Sequence, residues 1–222
     1  MTASSDSRIA RWRQSTLAPF GHQVFAVFWW ASLVSSLGSL IQTVGASWLM
    51  ATIAPSPDQV ALVQTAGTLP FFFLSLIAGA YADTHDRRWV MIFSQLLMLL
   101  ASISLAVFAI LSWLTPIWLL TFTFLIGCGT AAFAPAWQAS IADQVPRAQI
   151  PAAVMANAVG FNLARSVGPA IGGVIVASVG AAAAFVINAL SYIGMLGALL
   201  WWRAPKSENP LPPEPLFGAI AA

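Results

Sequence analysis

The sequence predicts an all-α integral membrane protein with six transmembrane helices. Composition, the length of the apolar runs and the placement of the cations all indicate this class. Hydrophobic residues make up 59% of the 222 residues and charged residues only 7%, and the mean hydropathy is +0.82. A soluble domain carries roughly 25% charged residues, so the chain lacks the charge that a water-facing surface needs.

The apolar runs are long enough to cross a bilayer as helices, which takes about 20 residues for about 30 Å of hydrocarbon. Strands of a β-barrel would instead be alternating segments of about ten residues. The predicted spans cover residues 24–53, 59–82, 89–113, 116–140, 152–178 and 182–202.

Turn-forming residues separate the spans in order. The first two breaks are Pro55–Asp58 and Asp83–Asp86, and the third is the short hairpin Leu114–Pro116. Pro151 suits the first turn of the fifth helix because its missing N–H costs nothing there. Gly180 marks the last tight turn. These short loops predict that successive helices pack antiparallel.

The cations predict the orientation of the chain. Alternate loops, around 54–58, 114–116 and 179–181, contain no Lys or Arg. Because basic loops stay in the cytoplasm, we expect both termini there, in a multi-pass protein of the inner membrane. Eight of the nine cations lie on this side: Arg8, Arg11, Arg13, Arg87, Arg88, Arg147, Arg203 and Lys206.

The chain divides into three predicted segments. Residues 1–20 form a cytoplasmic segment, and the apolar stretch after them is too long for a cleaved signal peptide. Residues 21–203 form the six-helix unit. Residues 204–222 read as a cytoplasmic Pro-rich linker, and we expect that the chain is truncated before a second half.

A polar stripe lies along the first span, within an arc of about 140° on a helical projection. It faces either another helix, as hydrogen-bonding residues in membranes often do, or water. Gln42 and Thr43 favour a wet cavity and are candidate substrate contacts. The stripe comprises Ser32, Ser35, Ser36, Ser39, Gln42, Thr43 and Ser47.

The fifth span holds the one ionisable residue deep in the predicted hydrocarbon. Arg165 lies about 20 Å from the cytoplasmic end of its span, so it must face the bundle interior or water. Asn162 shares its face, and both are candidate substrate contacts; Arg165 bonded to backbone carbonyls is the structural alternative. Pro169 frees the carbonyl of residue 165 and predicts a kink.

Small residues four apart on the fifth span predict a close helix contact. They are Gly160, Ala164, Gly168 and Gly172. On the sixth span, Asn188, Ser191 and Tyr192 share one face and are expected to make interior contacts.

Two motifs resemble signatures of the major facilitator superfamily. Residues 79–88, GAYADTHDRR, resemble its cytoplasmic loop signature, with Thr84 at a position that is usually basic. Residues 168–173, GPAIGG, resemble the fifth-helix signature of its antiporters. The stretches 134–139 and 161–165 resemble the enterobactin-exporter-like (transmembrane secretion effector) branch.

The resemblance implies one half of a two-half fold, built from two inverted repeats of three helices, with substrate bound between the halves. The implied partners are the bilayer, a small-molecule substrate, a proton as coupling ion, and the missing half or a second copy. Thr123 stands where many antiporters of the superfamily carry an Arg. The implied cytoplasmic gate residues are Gly79, Asp83, Asp86, Arg87 and Arg88, and the antiporter motif residues are Gly168, Pro169, Gly172 and Gly173.

These expectations favour proton-driven efflux of a siderophore or drug-like molecule; a truncated, non-transporting membrane protein or an interaction partner is the alternative. An enzyme is disfavoured because neither His22 nor His85 can partner a buried nucleophile. The single Cys128 excludes a cysteine-cluster metal site. We therefore expect no catalytic residue, metal or cofactor, and the net charge of +2 gives no reason to expect nucleic acid.

Overall fold

The computed structural model describes residues 17–54, 56, 58–84 and 86–202, and only the backbone over residues 76–84. Two short 3-10 turns, Ala18–Gly21 and Arg147–Gln149, precede the first and fifth helices. The six long helices are α1 (Gln23–Ile53), α2 (Asp58–Thr84), α3 (Arg87–Ile110), α4 (Pro116–Gln144), α5 (Ile150–Val179) and α6 (Ala181–Trp201).

Each helix ends within a few residues of the boundary expected from turn chemistry. Pro116 and Pro151 occupy the first turns of α4 and α5, where no intrahelical N–H bond is lost. Gly180 joins α5 to α6 at φ +92°, a left-handed conformation that Gly adopts without steric cost. The turn residues therefore set the helix lengths, as predicted.

Five of the six helical segments are long and apolar enough to cross a membrane: Gln23–Ile53, Arg87–Ile110, Pro116–Gln144, Arg147–Val179 and Ala181–Trp201. The expected span 59–82, within α2, is not among these five. The structure thus supports a multi-pass membrane protein, and the span 59–82 stays a prediction.

Chain order does not decide which helices pack most closely. α1 lies mainly against α5 and α6, α3 against α4 and α6, and α2 against α4, whereas the described residues of α2 and α3 make little contact with each other. A short loop fixes the direction of the next helix, but the small and apolar side chains decide its partners.

Polar contacts bring one set of helix ends together. The His22 ring nitrogen Nε2 lies 3.0 Å from Gln149 Oε1, so α1 and α5 begin side by side. Arg87 at the start of α3 reaches the end of α4, and Arg88 reaches the end of α6. We call this end of the bundle the basic end.

The two largest of the apolar clusters in the described core lie at different heights. The one at the basic end packs Phe28, Met91 and Leu199 with Trp202, which meets the Phe28 ring at 5.3 Å. The cluster near the other end unites α1, α2, α3, α4 and α6 around Met50 and Phe185, both fully buried. Dispersion contacts of this kind are the main attraction between helices in lipid, where the hydrophobic effect is weak.

Candidate functional site

A buried polar cluster joins α1, α3 and α6 between the two apolar clusters. We define it by Ser39, Gln42, Ser102, Asn188 and Tyr192. Gln42 Oε1 accepts hydrogen bonds from Ser102 Oγ and from Asn188 Nδ2, both at 2.7 Å. Ser39 Oγ lies 3.2 Å from the Tyr192 hydroxyl. The cluster therefore ties three helices together through side chains that have partners.

Gln42, expected in a wet cavity, lies instead in this three-helix contact and is only 5% exposed. Its amide oxygen already has two donors, as the high cost of an unpaired polar group in a bilayer requires. Thr43 is half-buried and donates to the Ser39 carbonyl of its own helix at 2.9 Å. In this arrangement the middle of the α1 polar stripe serves helix packing.

The structure explains the positions of Asn188, Ser191 and Tyr192, which were expected to make interior contacts. All three are buried, and Ser191 Oγ donates to the Asn188 carbonyl at 2.7 Å. A methyl group added to Gly38 would collide with Ser191 and Asn188. The small residue on α1 thus permits α6 to approach closely enough for these bonds.

The small residues of α5 form its contact with α1, as predicted. Gly160, Ala164, Gly168 and Gly172 are all buried. A Cβ on Gly168 would lie 2.9 Å from Leu40 Cβ, whereas one on Gly173 would meet nothing within 4 Å. Within the antiporter-like motif, Gly168 and Gly172 therefore serve packing, while Pro169 and Gly173 are exposed.

The opposite side of α5 is open. Arg165 and Asn162 are both exposed there, together with Ser166. Asn162 Nδ2 donates to the Ala158 carbonyl and Ser166 Oγ to the Asn162 carbonyl, both at 2.9 Å. The side chain of Arg165 makes no hydrogen bond or ion pair within the described part of the chain. Gln42 and Arg165 thus lie on different surfaces and do not form one site.

At the basic end, Asp86 and Arg87 connect the start of α3 with α4. The Asp86 carboxylate caps α3 by accepting the backbone N–H of Arg88 at 2.9 Å. Arg87 Nη1 lies 3.7 Å from Asp143 Oδ2 and donates to the Ala139 carbonyl at 3.4 Å. Because both charged side chains are partly solvated, the pair serves to position the helix ends more than to stabilise the fold.

Arg88 binds the end of α6. Its Nε donates to the Leu199 carbonyl and its Nη2 to the Leu200 carbonyl, both at 2.9 Å. Carbonyls in the last turn of a helix have no intrahelical donor, and a cation is favourable there. The loop motif therefore contacts both α4 and α6.

Other predicted features fall outside the described residues. The backbones of Gly79 and Asp83 lie in the last turns of α2, but their side chains are not described. His85, most of the segment 1–20 and the linker 204–222 also lie outside the described part.

Sequence reasoning missed two residues that contact the candidate site residues. Ser102 is fully buried at the centre of the polar cluster. It lies seven residues, or about two helical turns, after Gln95 on α3, and two polar residues on one face of an apolar helix were the available signal. Asp143, the partner of Arg87, was identifiable as the one acid near the basic end of α4.

Comparison with known proteins defines the class that this fold and these motifs indicate. Residues 14–222 match the family described as transmembrane secretion effector. The chain belongs to this family of major facilitator superfamily transporters.

Individual relatives are transporters of small molecules. The chain is 31% identical over 172 residues to a staphyloferrin A transporter of Staphylococcus aureus, covering 74% of this chain and 42% of the relative. It is 34% identical over 156 residues to the multidrug efflux pump Tap of Mycolicibacterium fortuitum, covering 68% and 38%. It is also 28% identical to the Tap pump of Mycobacterium tuberculosis over 205 residues, covering 86% and 48%. The chain therefore spans less than half the length of these relatives.

Proposed function

We propose that this chain forms one six-helix half of a secondary transporter that exports a siderophore or drug-like molecule. The proton gradient drives export, and the half works with a second half, or with a second copy, by alternating access. Family membership supports the transporter class. The observation that carries the rest is the exposed α5 face with Arg165 on it, because a guanidinium at that depth requires a polar environment.

The pattern of helix contacts supports two inverted three-helix repeats. In such a repeat, α1, α2 and α3 correspond to α4, α5 and α6. The α2–α4 contact then corresponds to the α5–α1 contact, and the α1–α6 contact corresponds to the α4–α3 contact. All four contacts are extensive. A unit of this symmetry leaves α2 and α5 each packed by one face, which is what an inverted-repeat transporter needs where its halves meet.

The sites are proposed in two groups. Arg165 and Asn162 contact substrate from the exposed α5 face, whereas Gln42 and Thr43 reach it only in a conformation that opens the α1 contact. Asp83, Arg87 and Arg88 gate the cytoplasmic side, which is the basic end, with both termini in the cytoplasm. The three described cations of that end, Arg87, Arg88 and Arg147, agree with the positive-inside rule.

Everted membrane vesicles test this function. Vesicles are prepared from cells that produce the chain alone or together with the remaining part of the M. fortuitum Tap pump. We expect uptake of ethidium or of a labelled siderophore that depends on the proton gradient and is abolished by a protonophore. Arg165→Ala reduces uptake at an unchanged membrane level. Uptake no greater than that of empty vesicles in both preparations contradicts the proposal.

A further inference from the structure

The outward face of α5 presents a cation that has no partner among the described residues, in the middle of a long apolar helix. α5 runs from Ile150 to Val179, so Arg165 lies about 22 Å from its first residue at 1.5 Å per residue. Its guanidinium is exposed on the surface of the bundle. A charge at a helix centre facing lipid is costly, so this face requires an anionic or aqueous neighbour.

The described residues supply no counter-charge at that depth. Their acidic side chains lie at helix ends: Asp58 at the first residue of α2, Asp86 at the cap of α3 and Asp143 beside the end of α4. Asp143 already pairs with Arg87. The remaining acids in the sequence are Asp6, Asp83, Glu208 and Glu214, none of which lies near the middle of a span.

The neighbours of Arg165 make this patch selective for anions. Asn162 and Ser166 lie beside Arg165 on the exposed side of α5, where the Ser166 hydroxyl and one of the two Asn162 amide hydrogens donate to carbonyls of α5. The guanidinium therefore carries the charge of the patch and most of its free donors. Its planar fork matches the two oxygens of a carboxylate, with charge-assisted bonds about twice as strong as neutral ones.

We propose that Arg165 binds a carboxylate of the transported molecule, so the cargo is a carboxylate-bearing small molecule. This inference rests on the proposed export function and specifies its substrate class. The cargo enters beside α5 with its carboxylate against Arg165, and its apolar part lies against the exposed side chain of Phe161, one turn away on the same face of the helix.

Citrate is a suitable probe, with its neutral trimethyl ester as the matched control. The purified chain in nanodiscs is titrated with each compound at constant ionic strength, and the thermal unfolding midpoint is recorded. A ligand that binds the folded state raises this midpoint in a saturable manner. We expect citrate to raise it and the ester not to do so.

Variants locate the binding group. Arg165→Gln should weaken citrate binding by about tenfold or more, the usual loss when a charged hydrogen bond is removed, while Arg165→Lys retains part of it. Arg147→Gln removes an exposed cation at the basic end and should bind citrate like the unmodified chain. An Arg165→Gln protein that binds citrate equally well overturns the proposal.

A second outcome also overturns it. If citrate has no effect on the unmodified chain while Arg165→Gln abolishes self-association in nanodiscs, the carboxylate comes from another protein chain and not from cargo. The binding experiment does not require transport, so it can succeed even if the proposed export function is wrong. In that case citrate would bind at Arg165, but vesicles would show no gradient-dependent uptake.

Discussion

Replacing Asn188 with Leu should destabilise the bundle by about 1–2 kcal/mol. The Asn188 side chain is fully buried. It donates to Gln42 at 2.7 Å and accepts from Ser191 at 3.1 Å. Inter-helix hydrogen bonds in membrane proteins contribute about 0.6 kcal/mol on average and about 1.7 kcal/mol at most. Leu has the same branched shape and the same number of side-chain heavy atoms as Asn, so the loss of stability reports mainly on the hydrogen bonds.

Unfolding in mixed micelles with increasing SDS, followed by tryptophan fluorescence, measures this change. The matched control is Asn162→Leu, because Asn162 is exposed and bonds only within its own helix. We expect the control to change the free energy of unfolding by less than about 0.5 kcal/mol, as surface substitutions usually do. An Asn188→Leu protein as stable as the control would refute the role of the polar cluster.

Three further predictions follow from the helix contacts and the orientation. Gly168→Leu should lower the thermal unfolding midpoint and Gly173→Leu should not, because only the first side chain would collide with α1; equal midpoints would exclude a tight α5–α1 contact. Arg88→Gln should speed hydrogen exchange in the last turn of α6 while Arg147→Gln leaves it unchanged, and no difference between them would rule out the cap. A Cys replacing Asp58 should react with an impermeant thiol reagent on intact cells; reaction only after lysis would show that the predicted orientation is wrong.

Much of the fold followed from residue patterns along the chain. Helix boundaries were predictable because Pro116, Pro151 and Gly180 end or begin helices by local backbone chemistry. The contact of α5 was predictable because small residues recur every four positions. Helix neighbours were not predictable, since loop length says nothing about which side chains fit together across the bundle.

The candidate site was predicted only in part, for a physical reason. A helical projection shows that Gln42 and Arg165 are polar residues within apolar helices, but it does not show what lies opposite each one. Gln42 meets Ser102 and Asn188 from two other helices, and so became a packing residue. Arg165 meets no described partner, and so stayed a candidate for binding.

Transport along the exposed face of α5 requires that water reach this face. The most direct test of this requirement is thiol labelling at two exposed positions near the middles of their helices, Ser166→Cys on α5 and Leu190→Cys on α6, in a Cys128→Ser background. Leu190 is 60% exposed among apolar residues and should face lipid. The account predicts that a water-soluble thiol reagent modifies residue 166 rapidly and residue 190 hardly at all. Equal protection of both positions would place Arg165 against lipid or protein and contradict the transport path.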